Sequence, residues 1–149
     1  MVAWLLAIMI ALQPVAPWRD TYEKSAMAIA QAAVEQSVKG DDNGSYTAVI
    51  LVSLAWWESR FNPEAHNAKD PGGGSFGLFQ ASRVAIPNIF AQARQAAAKV
   101  NQSFIGCSKL PLDKRLSHYT TGGPVCFPTR ESTHRMNFAM KLLKEHPYQ

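Results

Sequence analysis

The sequence predicts a mainly α-helical single domain that carries one irregular loop near its middle. Its 149 residues suit one domain with a core of its own. Apolar residues make up 47% of the chain and charged residues 17%, proportions that are typical of globular proteins. Apolar side chains also recur at helical spacing in several segments, which are separated by turns that contain Gly or Pro.

The first amphipathic helix is predicted between Asp20 and Gly40. Asp20 and Glu23 resemble a capping pair, and Gly40 is a natural stop. Residues 41–44 (Asp-Asp-Asn-Gly) follow as a turn. They contain only a fragment of a calcium-binding loop, so we interpret them as a solvated turn.

The second helix is predicted from Ser45 or Thr47 to about Glu58. Its residues are apolar on every face, which indicates a position at the centre of the domain. The chain from 62 to 77 contains two prolines and three consecutive glycines and is predicted to be an irregular or small β-containing loop.

Three further helical segments are predicted. One begins near Leu78, is interrupted at Pro87 and continues to about Val100. A short helix covers residues 112–119, and the last helix covers residues 129–144.

Residues 1–18 form an apolar, uncharged N-terminal segment, and residues 19–149 form the predicted domain. A secretory signal would require Lys or Arg before the apolar run, and this chain has neither there. The run is also shorter than the roughly 20 apolar residues of a membrane span. An export signal, a short anchor that contacts a membrane through residues 1–17 and a first core helix all stay open.

The formal charge of +4 favours polyanionic partners, of which bacterial cell wall and nucleic acid are examples. Because the Lys and Arg residues are scattered, with only Lys114 and Arg115 adjacent, we do not predict nucleic-acid binding. The four histidines show no metal-ligand spacing, and we predict no metal site.

Cys107 and Cys126 are the two cysteines of the chain. The segment between them is rich in Pro and Gly, which favours a disulfide over two buried free thiols. Such a disulfide would stabilise the fold by roughly 3 kcal/mol and would indicate an oxidising compartment.

Glu58 is the strongest candidate for a chemical role. It stands at the end of the all-apolar helix and directly follows Trp56 and Trp57. Burial and the negative end of the helix dipole both raise the pKa of such a carboxyl group, which suits a general acid. Pairing of Glu58 with Arg60, or simple exposure to solvent, is the alternative.

Three motifs resemble, in order, the signature of the lytic transglycosylases of the goose-type lysozyme-like superfamily. They are residues 58–63 (Glu-Ser-Arg-Phe-Asn-Pro), residues 77–80 (Gly-Leu-Phe-Gln) and residues 118–122 (His-Tyr-Thr-Thr-Gly). The resemblance covers about residues 45–145 and implies a lysozyme-like fold. Phe79 replaces the family's usual Met, and Thr120 replaces its usual Asn.

The resemblance implies cleavage of the bond between N-acetylmuramic acid and N-acetylglucosamine in peptidoglycan, with Glu58 as the proton donor. It also implies that Ser75 and Gln80 contact the glycan and that Tyr119 places its hydroxyl near Glu58. Phe76 is predicted to be an aromatic wall of the cleft, because the apolar faces of sugar rings stack on aromatic side chains.

Two carboxylates are usual in glycosidases, and Asp70 and Glu64 are the candidates for a second acid. A transglycosylase does not need one, because the substrate's N-acetyl group stabilises the cation and its own C6 hydroxyl closes a 1,6-anhydro ring. This reaction is our leading hypothesis. A lysozyme-type hydrolase and a non-catalytic glycan-binding or assembly module are the alternatives.

The resemblance also predicts a setting for the protein. No cofactor is implied, the partners are peptidoglycan glycan strands, and the protein is expected to act as a monomer. The expected location is the bacterial cell envelope or periplasm, or outside the cell, and the source is a bacterium or a phage.

Overall fold

The computed structural model describes residues 1–70, 74–123 and 125–149. It is mainly helical, as predicted, with one small antiparallel hairpin in the loop that follows the third helix. The helices are α1 (Val2–Leu12), α2 (Tyr22–Glu35), α3 (Ser45–Ser59), α4 (Ile89–Gly106), α5 (Ser117–Thr121) and α6 (Arg130–Glu145). The strands are β1 (His66–Asn67) and β2 (Ser75–Phe76), and Arg19–Thr21 and Leu112–Lys114 form 3-10 turns.

Helix α3 lies at the centre of the domain, as its all-apolar sequence predicts. Every residue from Thr47 to Ala55 is buried. Helices α1, α2, α4 and α6 all pack against it, because a helix without a polar face is stable only when its whole circumference is covered.

Asp41 holds the start of α3. Its carboxylate accepts hydrogen bonds from the backbone N–H of Tyr46 (3.2 Å) and Thr47 (2.7 Å) and from the Thr47 hydroxyl (2.6 Å). These bonds satisfy N–H groups that have no partner within the helix. Asp41 is only 8% exposed, so the prediction of a solvated turn is wrong at this residue.

Helix α1 belongs to the core in this structure. Leu5, Ile8 and Met9 are fully buried, and the helix packs on α2 and α3. The indole N–H of Trp4 donates to the carbonyl oxygen of His146 (2.8 Å), which ties the two ends of the chain together. Among the described residues, no helix combines the length and the apolarity needed to cross a membrane.

Two helix boundaries differ from the prediction. Helix α2 is shorter than residues 20–40, because Asp20 lies in a 3-10 turn and no side chain caps the helix start. Residues 78–88 are not helical, since Gln80 adopts a left-handed backbone (φ 48°). Helix α4 begins only at Ile89 and continues to Gly106. The Asn88 side chain caps its start by accepting hydrogen bonds from backbone N–H groups of the first turn.

The predicted disulfide is present between Cys107 and Cys126, with Cα atoms 5.4 Å apart. It joins the end of α4 to the segment before α6. The last helix is confirmed, and it starts with a capping box between Thr129 and Ser132. The predicted short helix at 112–119 is replaced by a 3-10 turn and α5.

We expect Asp41→Ala to lower the free energy of unfolding by about 1 to 2 kcal/mol, because the substitution leaves the N–H groups at the start of α3 without an acceptor. Urea denaturation followed by circular dichroism measures the loss. Asp42→Ala is the matched control, since Asp42 is exposed and the same loss there would contradict the capping role.

Candidate functional site

The carboxyl end of α3 sets the position of Glu58. The helix ends at Ser59, and the next two residues, Arg60 (φ 53°) and Phe61 (φ 63°), both have left-handed backbones that reverse the chain. Phe61 is fully buried and packs edge-on against Tyr22, with ring centroids 5.5 Å apart. The anchored aromatic ring keeps this unusual turn in place.

Ser59 connects the helix end to the second motif. Its hydroxyl lies 2.7 Å from the carbonyl oxygen of Leu78 and 3.0 Å from that of Ala55. The backbone of residues 77–80 is therefore held beside Glu58. Ser59 of the first motif thus has a structural role, which does not depend on any reaction.

Gln92 supports the same loop from α4. Its side-chain carbonyl accepts the N–H of Leu78 (2.7 Å), and its amide donates to the carbonyl oxygens of Pro63 (3.1 Å) and Ile86 (2.6 Å). Gly77 is required here, because its φ is 86° and a Cβ atom would lie 2.7 Å from Gln92 Oε1.

A polar cleft of about 520 Å³ opens in front of Glu58. Acidic and basic side chains from four parts of the chain meet in it. Its lining side chains include Glu58, Asn67, Asp70, Ser75, Gln80, Arg83, Lys99, Tyr119, Thr120, Glu131 and Arg135. Glu58, Asp70, Ser75, Gln80 and Tyr119 were all predicted as site residues, and the fold brings them to one cleft.

Arg135 of α6 holds the Glu58 carboxylate. Its Nη1 lies 2.9 Å from Glu58 Oε1, and its Nη2 pairs with Glu131. The side chains of Arg135 and Glu58 are 9% and 19% exposed. Arg60, which the sequence offered as a partner, instead lies over the ring of Trp56, 4.0 Å from its centroid.

The pKa of Glu58 is raised from 4.5 to about 7. Burial of the carboxyl group is the largest cause, since the charged form loses its hydration. Arg135 lowers the pKa, and the negative charges of Glu131 and Asp70 raise it. Burial and the two acids together outweigh the ion pair, so the group exchanges its proton near neutral pH.

Asp70 lies in the cleft but is engaged within the hairpin. One carboxylate oxygen accepts from the amide of Asn67 (2.8 Å), and the other accepts from the hydroxyl of Ser75. The Ser75 proton is therefore committed to Asp70. Both residues line the cleft beside Glu58.

Tyr119 and Gln80 line the cleft through hydrogen bonds to the backbone. The Tyr119 hydroxyl donates to the carbonyl oxygen of Phe79 (3.1 Å) rather than to Glu58, so the predicted orienting role falls to Arg135. Burial first, and then the Glu58 charge, raise the pKa of Tyr119, which stays neutral. The Gln80 amide donates to Ala65 and Gly77, and its buried Oε1 has no partner among the described residues.

Phe76, predicted as a wall of the Glu58 cleft, and Glu64, one of the two candidates for a second acid, do not line that cleft. Both line a second pocket of about 560 Å³, where the Phe76 ring stacks on His66 with centroids 4.1 Å apart. Successive residues of a strand point to opposite faces. Ser75 therefore reaches the Glu58 cleft, whereas Phe76 reaches the other side of the hairpin.

The sequence reasoning missed Arg135 and Glu131. Arg135 stands on the buried stripe of α6, beside Met136, Ala139 and Leu142. A charged residue on an apolar stripe is rarely buried without a partner of opposite charge. The position of Arg135 on the apolar stripe could therefore have predicted a buried ion pair, and Glu58 is the acidic partner.

Among the described residues, one cluster of side chains could hold a metal ion, and it lies outside the cleft. It consists of Cys107, His118 and Cys126. Within the cleft, the carboxylates of Glu58 and Glu131 are both paired with Arg135. A carboxyl group that is protonated near neutrality and held beside polar lining groups can donate its proton to a bound oxygen atom and later take a proton back.

Comparison of the chain with models of known protein families, with curated proteins and with solved structures finds no match in any of the three.

We expect Glu58→Gln to become more stable relative to the unmodified protein as the pH rises from 4.5 to about 7. Below pH 4.5 the Glu58 carboxyl is protonated in both the folded and the unfolded chain, so its raised pKa does not change the free energy of unfolding there. Above pH 7 it is ionised in both, and the raised pKa then costs about 3 kcal/mol of folding stability.

Urea denaturation at a series of pH values measures this difference. Glu64→Gln is the control, because that carboxyl is exposed to water in the folded chain as well. A stability difference for Glu58→Gln that stays constant or falls over this pH range would contradict the raised pKa.

Proposed function

We propose that the protein is a peptidoglycan lytic transglycosylase in which Glu58 acts first as the acid and then as the base. The observation that carries this proposal is a carboxyl group with a pKa of about 7 in a polar cleft, held at 2.9 Å by a buried arginine. The resemblance of the three motifs supplies the substrate class. The structure supports it because each of the three motifs contributes a residue to one cleft: Glu58, Gln80 and Tyr119.

In the first step, the protonated Glu58 gives its proton to the oxygen of the bond between N-acetylmuramic acid and N-acetylglucosamine. The bond between this oxygen and C1 breaks, and the electron pair leaves with the N-acetylglucosamine. The N-acetyl group of the muramic acid stabilises the positive charge at C1. Arg135, already in place, stabilises the carboxylate that Glu58 becomes.

In the second step, the Glu58 carboxylate takes the proton from the C6 hydroxyl of the same sugar. The C6 oxygen bonds to C1 and closes the 1,6-anhydro ring. Glu58 is protonated again, and no water is consumed. A single carboxyl group serves both steps best when its pKa lies near the working pH.

The polar groups of the cleft suit an N-acetylated sugar. The Gln80 side chain lines the cleft, where it would contact a bound N-acetyl group. The hydroxyl oxygens of Ser75, Thr120 and Tyr119 lie on the same lining. These groups would position the sugar, and Glu58 would carry out the reaction.

A lysozyme-type hydrolase is the second candidate, and Asp70 favours it. Asp70 lines the Glu58 cleft and lies close enough to raise the pKa of Glu58. Its free lone pairs could bind and activate a water molecule. Both of its oxygens already accept hydrogen bonds, however, so a water molecule would compete with Asn67 and Ser75 for the carboxylate.

The proposed reaction implies a location where peptidoglycan is found, which is the bacterial envelope, the periplasm or the exterior. The disulfide supports an oxidising compartment of this kind. The glycan strands are the proposed partner, and the positive net charge suits an anionic cell wall.

We expect Glu58→Gln to abolish the release of soluble fragments from purified sacculi while the circular dichroism spectrum stays unchanged. Mass spectrometry of the products from the unmodified protein should show 1,6-anhydromuramic ends. Asp70→Asn should retain most of the activity if the reaction is a transglycosylation, and should lose it together with reducing-end products if the reaction is a hydrolysis. Cleavage that persists in Glu58→Gln would overturn both candidates.

We expect the activity of the unmodified protein to fall as the pH rises above about 7, because Glu58 then loses the proton that it must donate. Arg135→Met should lower kcat by about 10- to 100-fold, since the carboxyl group loses its positioning. The same substitution should move the alkaline limit of activity to higher pH, because Arg135 lowers the pKa of Glu58.

Rates of sacculus solubilisation between pH 5 and pH 9 test this. Arg130→Met is the control, since Arg130 is exposed on the same helix. An alkaline limit that stays unchanged or moves to lower pH in Arg135→Met would contradict the effect of Arg135 on the pKa of Glu58.

A further inference from the structure

The disulfide is part of a larger cluster of groups that are able to bind a metal. The sulfur atoms of Cys107 and Cys126 and a ring nitrogen of His118 all lie within 4.8 Å of one another. His118 Nε2 is 3.3 Å from Cys126 Sγ. Spacing along the sequence did not reveal this cluster, because the three residues come from the end of α4, from α5 and from the segment before α6.

We propose that these three residues form a Zn²⁺ site when the disulfide is reduced, so that a metal cross-link replaces the covalent one. Two thiolates and one imidazole are preferred zinc ligands. A tetrahedral zinc ion needs its ligand atoms about 3.5 to 3.8 Å apart, given Zn–S distances of about 2.3 Å and Zn–N distances of about 2.0 Å. His118 and Cys126 already lie close to this separation.

A dithiol reductant gives two electrons to the S–S bond and becomes a disulfide itself, and Cys107 and Cys126 become thiols. Zn²⁺ then displaces one proton from each thiol and accepts a lone pair from the neutral imidazole of His118. Once the S–S bond is broken, rotation of the Cys107 and Cys126 side chains would let the two sulfur atoms move to the separation that zinc requires.

The imidazole of His118 is held in position by its surroundings. It lies against Gly106, the last residue of α4, where a Cβ atom would come within 2.9 Å of Nδ1. The backbone N–H of His118 donates to the buried hydroxyl of Ser103 (3.0 Å). A cavity of about 370 Å³ opens beside His118. A water molecule would complete the tetrahedral set as the fourth ligand.

The zinc site would affect the candidate cleft indirectly. Helix α5 carries His118, and it also carries Tyr119 and Thr120 of the cleft lining. The disulfide joins the end of α4 to the segment before α6, and zinc would join both of these to α5 through His118. A reduced chain that holds zinc would therefore keep this wall of the cleft in place in a reducing compartment.

The test uses the full chain, reduced with a phosphine that does not bind zinc, and titrated with Zn²⁺ against a chromophoric chelator. We expect the reduced protein to bind one equivalent, and we expect bound Co²⁺ to show the charge-transfer and visible bands of a tetrahedral thiolate site. Cys126→Ser and His118→Gln should bind more than about 100-fold more weakly. His134→Gln, a histidine exposed on α6, should bind like the unmodified chain.

Gly106→Ala gives a second check, because it keeps all three ligands but moves His118 from its position. We expect it to bind zinc more weakly than the unmodified chain does. The oxidised protein should bind no zinc at the cysteines. The proposal is overturned if reduced protein binds no more zinc than oxidised protein, or if His118→Gln binds as tightly as the unmodified chain. It is also overturned if the reduced chain unfolds, by circular dichroism, and zinc does not restore the fold.

Discussion

The complete burial of α3 is the constraint on which the rest of the structure depends. A helix that is apolar on every face has to be covered on every side, and four other helices do so. The covering ends only at the last turn of α3, where the side chains of Trp56, Trp57 and Glu58 are partly exposed. The core helix thus carries a carboxyl group to the boundary between protein and water on a rigid support.

The packing of α6 on α3 then determines the charge around this carboxyl group. The Ser53 hydroxyl donates to the carbonyl oxygen of Arg135 (2.8 Å), which sets how the two helices lie against each other and brings the guanidinium group to Glu58. An arginine alone would hold the carboxyl ionised. Burial and the charges of Glu131 and Asp70 act in the opposite direction and outweigh it. The result is a group that is neither fully protonated nor fully ionised near neutral pH.

The β1–β2 hairpin divides the surface beside Glu58 into two pockets. Asn67 pairs with Ser75, and both line the polar cleft, while His66 pairs with Phe76, and both line the other pocket. The alternation of side chains along a strand is the reason. Ser75 and Phe76, which are adjacent in β2, therefore serve different surfaces. Asp70 is held to the polar side by its hydrogen bonds to Asn67 and Ser75.

The sequence by itself determined the helical class, the central position of α3, the disulfide and the place of Glu58 at the end of the apolar helix, because each of these depends on local composition or on spacing along the chain. It also identified Asp70, Ser75, Gln80 and Tyr119, which the fold brings to one cleft. Only the tertiary structure decided that Arg135 pairs with Glu58, that Phe76 faces away and that His118 lies beside the disulfide. These facts depend on which faces of distant segments meet, and periodicity within a single segment does not contain that information.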